Sequence, residues 1–306
     1  WDKGCIFGRF KQKINQKLTK IVCFGEVLWD IYPDRIEIGG APFNVYYRLH
    51  SLGNNVIIIS SIGDDDLGLK ALNFFKKNNL NSKFISIDKE HKTGQVKIQL
   101  ESGEPSYNIV DNVAWDFIPI KKEYTSEKLD YLIFGSLAVR NDKSFETLKE
   151  IIRKSKFNIL DLNIRQEYYK KDKLHYLLNS SDFLKINMDE LFVLRDLFNI
   201  KYHETEDIAQ KIFSKFNLKY ICLTNGSVNS SAFDGNKFIY VESLKVKSID
   251  NVGAGDNFLA SFINEYFIKK NSLKSSLKIA SIYGAITTTK KGAIPSINTS
   301  EINIFL

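Results

Sequence analysis

The stretch SIDNVGAGDNFLASFI, Ser248 to Ile263, carries the most specific chemistry in the chain. Gly253, Ala254 and Gly255 let the backbone turn sharply and aim successive N–H groups one way. After Asp256, the apolar residues Phe258, Ala260, Phe262, Ile263 and Phe267 recur at helical spacing. The loop therefore opens a helix, and such an N-terminus attracts anions through its free amides and its dipole. Asp256 has two readings there. As a helix cap it would contribute about 1 kcal/mol. As a general base it would take the proton of an attacking hydroxyl while the loop amides stabilise a transferring phosphoryl group. The loop alone leaves both open.

Other phosphate and metal devices are excluded. A dinucleotide GxGxxG needs glycine at 258, where Phe258 stands, and it belongs after a first strand, not near a chain's end. GDDDLGLK, Gly63–Lys70, has GxxxxG spacing, but Leu69-Lys70 replaces the required Lys-Ser/Thr and three acids would repel phosphate. The four histidines have no ligand spacing with cysteine or with one another. Cys5, Cys23 and Cys222 are far apart and form no CxxC pair, which suits reduced thiols in a cytoplasmic compartment. Cys23 and Cys222 lie in apolar strand-like runs and are expected in the core.

The elements that must position this loop follow a simple rhythm. Apolar runs of strand length begin at Ile21, Asn55, Tyr131, Phe157, Phe183 and Tyr220, and most are apolar throughout, as parallel strands buried on both faces are. Segments with helical periodicity lie between them, at Phe43–Leu52, Leu67–Lys77, Ser144–Lys156, Asp189–Phe198 and Thr205–Phe216. Strand alternating with helix predicts an α/β fold, a doubly wound, mostly parallel sheet with helices on both faces. Two stretches alternate instead: Leu28–Gly39, and Lys92–Val113 around a turn at ESGEPS. They read as half-exposed antiparallel strands, a small β lid inserted into a single domain over 20–306. Ser272–Thr289 has helical spacing with small residues at Ala280, Gly284 and Ala285.

The formal charge of +7 is unevenly spread, with +5 in the first twenty residues and +2 in the rest. The body gives no reason to invoke nucleic acid. The basic head, about 1–19, reads as a leader or non-native remnant outside the core, because the chain opens on Trp1 and its only methionine is Met188; the functional alternative is a tail for an anionic surface. No apolar run approaches the ~20 residues of a membrane span.

DNVGAGD closely resembles the DTxGAGD signature of the ribokinase-like, or PfkB-type, carbohydrate kinases. GGAPFNVYYRLHSLGNNVIIISSIG, Gly39 to Gly63, resembles that family's first signature, with Gly39, Gly40, Asn44, Gly53 and Gly63 at the expected spacing. The likeness runs from about Lys20 to Leu306. Fragments such as FGEVLWDIYP, VAWDFI, DLNIRQEYY, LKINMDEL and KKGAIPSI resemble the fructokinase branch.

The resemblance implies an ATP-dependent sugar kinase using Mg²⁺, with Asp256 as base and Gly253, Ala254 and Gly255 as the anion-facing loop. It implies that Asp30 and Asn44 bond sugar hydroxyls, that Gly39-Gly40 lets the sugar approach the backbone, and that Arg165 reaches the sugar or phosphate. Asn187 and Glu190 match a motif linked to Mg²⁺ and phosphate, largely through water; the same pair also fits a capping box. Thr224, Gly226 and Asn251 fall on the nucleotide side. Asp250, the Val252 carbonyl, Gly292 and Ser296 match positions that surround a monovalent cation, usually K⁺, in many relatives. A homodimer through the lid is also implied. Three residues depart from the pattern: Asn251 replaces threonine, Tyr46 a small residue, and Asn229 a residue often glycine. Fructose is the expected acceptor. The alternatives are ribose, 2-keto-3-deoxygluconate or a nucleoside, or a non-catalytic sugar or nucleotide sensor on the same fold.

Overall fold

The apolar runs become strands because each can bury both faces. In the computed structural model, which describes residues 19–101, 104–125 and 128–306, the chain begins β1 (Ile21–Phe24), β2 (Leu28–Ile31), β3 (Ile36–Gly39), α1 (Ala41–Ser51), β4 (Val56–Gly63), α2 (Asp66–Lys77), β5 (Ile85–Asp88), β6 (Gly94–Glu101) and β7 (Glu104–Ile109). A short helix α3 (Lys122–Thr125) leads to β8 (Tyr131–Gly135), α4 (Asp142–Ile152), β9 (Asn158–Asp161), α5 (Lys171–Asn179), β10 (Phe183–Asn187), α6 (Met188–Leu197), α7 (Thr205–Lys215) and β11 (Tyr220–Asn225). The hairpin β12 (Asn229–Phe233) and β13 (Phe238–Glu242) precedes α8 (Ala254–Phe262), which runs into a π turn at Ile263–Ile268 before α9 (Leu273–Thr288) and α10 (Thr299–Asn303). The basic head and Cys5 lie outside the described residues.

The main sheet has the order β13-β12-β11-β10-β9-β8-β1-β4-β5. From β11 to β5 every pairing is parallel; β12 and β13 add an antiparallel edge. Alternate residues face opposite layers. Val22, Phe134, Leu160 and Ile186 pack with Leu148 of α4, Leu177 of α5, Leu191 of α6 and Ile208 of α7. Cys23, Ile133, Ile159 and Cys222 pack with Phe43 of α1, Phe75 of α2, Phe262 of α8 and Leu277 of α9. Both cysteines are fully buried, and burial pushes their thiols up, Cys222 to about 12.

A second sheet has the order β3-β2-β6-β7. Its pairing differs from the antiparallel expectation at one seam: β2 and β6 run parallel. The chain between them passes through β3, α1, β4, α2 and β5, which supplies the long crossover that a parallel pair requires. The turn expected at ESGEPS includes 102–103, which lie outside the described residues. The inward positions Val96, Ile98 and Ile109 bury against Trp115 and Leu137 of the same chain. Among the described residues, no helix is long and apolar enough to cross a membrane.

Candidate active site

The strand order places the site. β1 sits inside the parallel sheet, with β4 on one side and β8 on the other, so the connections diverge at its carboxyl end. Glu26 follows β1, Arg165 follows β9, Asn187 ends β10, and Thr224 and Gly226 lie at the end of β11. α8 brings Asp256 to the same end.

The glycine loop is shaped by sterics. Gly253 is the N-cap of α8 with φ 75°, and a Cβ there would lie 2.4 Å from the Ala293 carbonyl oxygen. Gly253 offers no capping side chain, so the first-turn amides of α8 lack the partner that a cap provides. Asp256, in that first turn, is not the cap. Its Oδ2 instead accepts Asn44 Nδ2 at 2.7 Å, 212 residues away in sequence. Asn44 does not cap either, because Gly40 is the N-cap of α1. Its Oδ1 is buried with no hydrogen-bond partner among the described residues.

Charge is concentrated around this pair. Burial raises the Asp256 carboxyl to about 6, and Asp161 adds to the rise; the Asn44 bond, Lys185 and Arg165 oppose it. Glu26 is raised to about 7 by burial and by Asp256. Asp30 is raised to about 7 by burial and by Glu37, Asp250 and Asp256, against Arg165. Asp30 lies against Gly39, where a Cβ would be 2.9 Å from its Oδ2. Gly40, at φ 112°, leaves room for the Glu26 carbonyl 2.4 Å from where its Cβ would be. Arg165 is exposed in a loop containing two non-glycine residues in left-handed backbone, Asn163 at φ 43° and Gln166 at φ 47°.

The residues expected on the nucleotide side divide. Asn187 and Thr224 are paired in register on adjacent strands. Glu190 and Asn187 form the expected capping box, each side chain accepting the other's amide at 2.8 Å. Glu190 also accepts the Ile164 amide at 2.9 Å, which fixes the loop leading to Arg165. Gly226 is open at φ 48°, and Asn229 opens β12 opposite Asn225. Asn251 is exposed and accepts the Ser248 hydroxyl at 2.7 Å. Asp250 accepts the amides of Val252 and Gly292, both at 3.0 Å. Ser296 is set apart, its carbonyl taken by Lys290 Nζ at 2.6 Å. Tyr46 finds room away from the small sheet: its ring stacks on Phe75 of α2 and its hydroxyl donates to Asn81 O at 3.2 Å.

Sequence reasoning missed Lys185 and Asp161. Lys185 Nζ bonds Asp161 Oδ1 at 2.9 Å beneath the glycine loop, where a Cβ on Gly255 would lie 2.9 Å from that ammonium. Burial pulls the Lys185 ammonium down, yet Asp161 and Glu190 outweigh it and hold it charged. The available signal was a lone lysine in the otherwise apolar FLKI and a lone aspartate in NILD, since charges in buried strands must be paired.

A doubly wound α/β sheet with a glycine loop opening a helix at its carboxyl edge defines a phosphate-handling class of fold. The chain belongs to the pfkB family of carbohydrate kinases, whose profile matches residues 18–300. It is 26% identical to fructokinase-2 of Zea mays over 91% of each chain, and 26% identical to fructokinase-2 of Oryza sativa subsp. japonica over 92% of each. Among solved structures, fructokinase from Xylella fastidiosa with bound ATP matches with a TM-score of 0.80 and 20% identity, over 94% of this chain and 97% of that one. Fructokinase from Vibrio cholerae O395, bound to fructose, ADP and calcium, matches with a TM-score of 0.80 and 20% identity, over 94% and 99%.

Proposed function

We propose that this carbohydrate kinase transfers the γ-phosphoryl group of ATP to a hydroxyl of fructose, with Asp256 as the general base. The carrying observation is the placement of Asp256. It stands in the first turn of a helix with no capping side chain, nearly buried, its carboxylate bonded to Asn44 and not spent as a cap. A base raised to about 6 is ionised at neutral pH and still has appreciable proton affinity.

Each residue then has a task. Asn44 orients the carboxylate with its amide and offers Oδ1 to a sugar hydroxyl. Asp30 accepts further hydroxyls beside Gly39. Arg165 balances the surplus of carboxylates. The first-turn amides of α8 stabilise charge on the transferring group, with the Lys185 ammonium fixed below them. Fructose as acceptor is supported by the curated fructokinases at 26% identity.

Asn187 and Glu190 suit Mg²⁺ held through water: both Glu190 oxygens already accept amides, leaving lone pairs for water more readily than for direct ligation. When bound, Mg²⁺ would neutralise phosphate charge. The K⁺ positions fit less well. Both Asp250 oxygens accept amides and the Ser296 carbonyl is held by a lysine, so no step is assigned to K⁺. ADP release measured over fructose, ribose, 2-keto-3-deoxygluconate and nucleosides, with and without K⁺, tests the reading. Fructose should give the highest kcat/KM; a higher value for another acceptor would reassign the substrate, and ligand binding without ADP release on any would favour a sensor.

A further inference from the structure

Arg48 is 2% exposed and lies within α1, yet among the described residues its guanidinium bonds no carboxylate. Nε donates to Asn257 Oδ1 at 2.5 Å, Nη2 to the Pro295 carbonyl at 2.6 Å, and Nη1 to the Ser51 hydroxyl at 3.3 Å. Tyr283 of α9 lies 5.8 Å from it. Burying an arginine without a counter-charge is costly, and burial pulls its proton affinity down. Such a cost is commonly retained where it serves function.

The partners show what it serves. Asn257 is fully buried and adjoins Asp256. Its Nδ2 donates to the Gly253 carbonyl at 2.7 Å and the Ala293 carbonyl at 2.8 Å. Arg48 follows Asn44 by one helical turn, so the two share a face of α1. Two rungs therefore join α1 to α8: Asn44 to Asp256, and Arg48 to Asn257. The second rung continues into the carbonyl of the glycine loop's pivot and into the 293–295 segment against which Gly253 packs.

We propose that Arg48 and Asn257 are positioning residues for phosphoryl transfer, a buried clamp that fixes the Gly253 peptide and keeps the anion-facing amides in register with the base. The clamp touches neither sugar nor phosphate. It acts by adding a side-chain donor to the Gly253 carbonyl, at 2.7 Å, beside the helical bond from the Asn257 amide at 2.9 Å, and so fixes the orientation of that first peptide of the helix. This inference rests on the Asp256 loop being the site of transfer.

The decisive variant is Asn257→Asp. It keeps an oxygen for Arg48, which gains a counter-charge, but exchanges the donor to Gly253 and Ala293 for an acceptor. The counter-charge for Arg48 should keep the protein folded, with a melting temperature lowered by the lost donor bonds, while kcat of the folded protein falls roughly 10- to 100-fold, the scale of a small misplacement of reacting groups. The KM for the sugar should stay within about threefold, because Asn44 and Asp30 are untouched. The loss should persist at pH 8 to 9, where Asp256 is ionised whatever the new carboxylate does to it. The double variant Arg48→Met/Asn257→Leu removes both partners, a change that can be nearly neutral for stability, and should show the same loss of kcat. More than half of wild-type kcat at pH 8 in either variant overturns the proposal. So does a loss confined to unfolding, in which the residual folded fraction has wild-type turnover. An inactive wild type on every sugar would instead remove the kinase reading beneath it.

Discussion

At the residue scale, the candidate site crowds buried carboxyls together, so that each holds its proton more tightly than it would in water. Glu26, Asp30 and Asp256 all have carboxyls raised by burial, and two cations, Lys185 and Arg165, offset them only in part. The sign for catalysis follows. A base with its proton affinity raised from the ordinary carboxylate range is protonated, and idle, below that raised value. The acid limb of kcat/KM should therefore bend near pH 6 and not near 4. A pH–rate profile from 4.5 to 9 checks this; a limb bending near 4 would mean that Asp256 titrates as an exposed carboxylate. At this scale Asp256, Asn44, Asp30 and Glu190 were picked out because they fall within stretches that resemble the family's motifs, and the structure places Asn44 against Asp256. Lys185, Asp161, Glu26, Arg48 and Asn257 were not picked out. None of them stands out by local spacing, and the pairings come from the fold, over 24 residues for Lys185 and Asp161, 209 for Arg48 and Asn257 and 247 for Arg48 and Pro295.

At the scale of elements, two helix starts make the site and both begin on glycine for steric reasons. Gly40 and Gly253 have left-handed backbone against neighbouring carbonyls, with virtual Cβ contacts of 2.4 Å in each case. Gly253→Ala should cost roughly 1–3 kcal/mol of strain and lower kcat more than 10-fold by turning the loop amides. Thermal melting and steady-state kinetics together check this, and unchanged kcat would mean the amides do not face the reacting group. The parallel strands and their helices could be read from apolar runs and 3.6-residue periodicity. The parallel seam between β2 and β6 could not, since alternation reports which face of a strand is buried and says nothing about the direction of its neighbour. The antiparallel edge was hidden for another reason: β12, NSSAF, is short and polar where it lies next to Asn225.

At the scale of the molecule, Glu26, Arg165, Asn187, Thr224 and Asp256 gather at the carboxyl end of the main sheet, where strand connections diverge around β1. On the proposed reading, the sugar-side residues come from β2, β3, α1 and the loop after β9, the nucleotide-side residues from β10, β11 and the approach to α8, and Asp256 stands between the two sets, as transfer between two bound molecules requires. The central claim is thus the role of one carboxylate, and the most direct measurement is single-turnover ADP formation by Asp256→Asn, with ADP affinity measured alongside. The substitution keeps an oxygen beside Asn44 but cannot accept the proton. Turnover should fall by about 10²–10⁴, with ADP affinity within a few-fold of wild type. Near-normal turnover in that variant would contradict the assignment of Asp256 as the base.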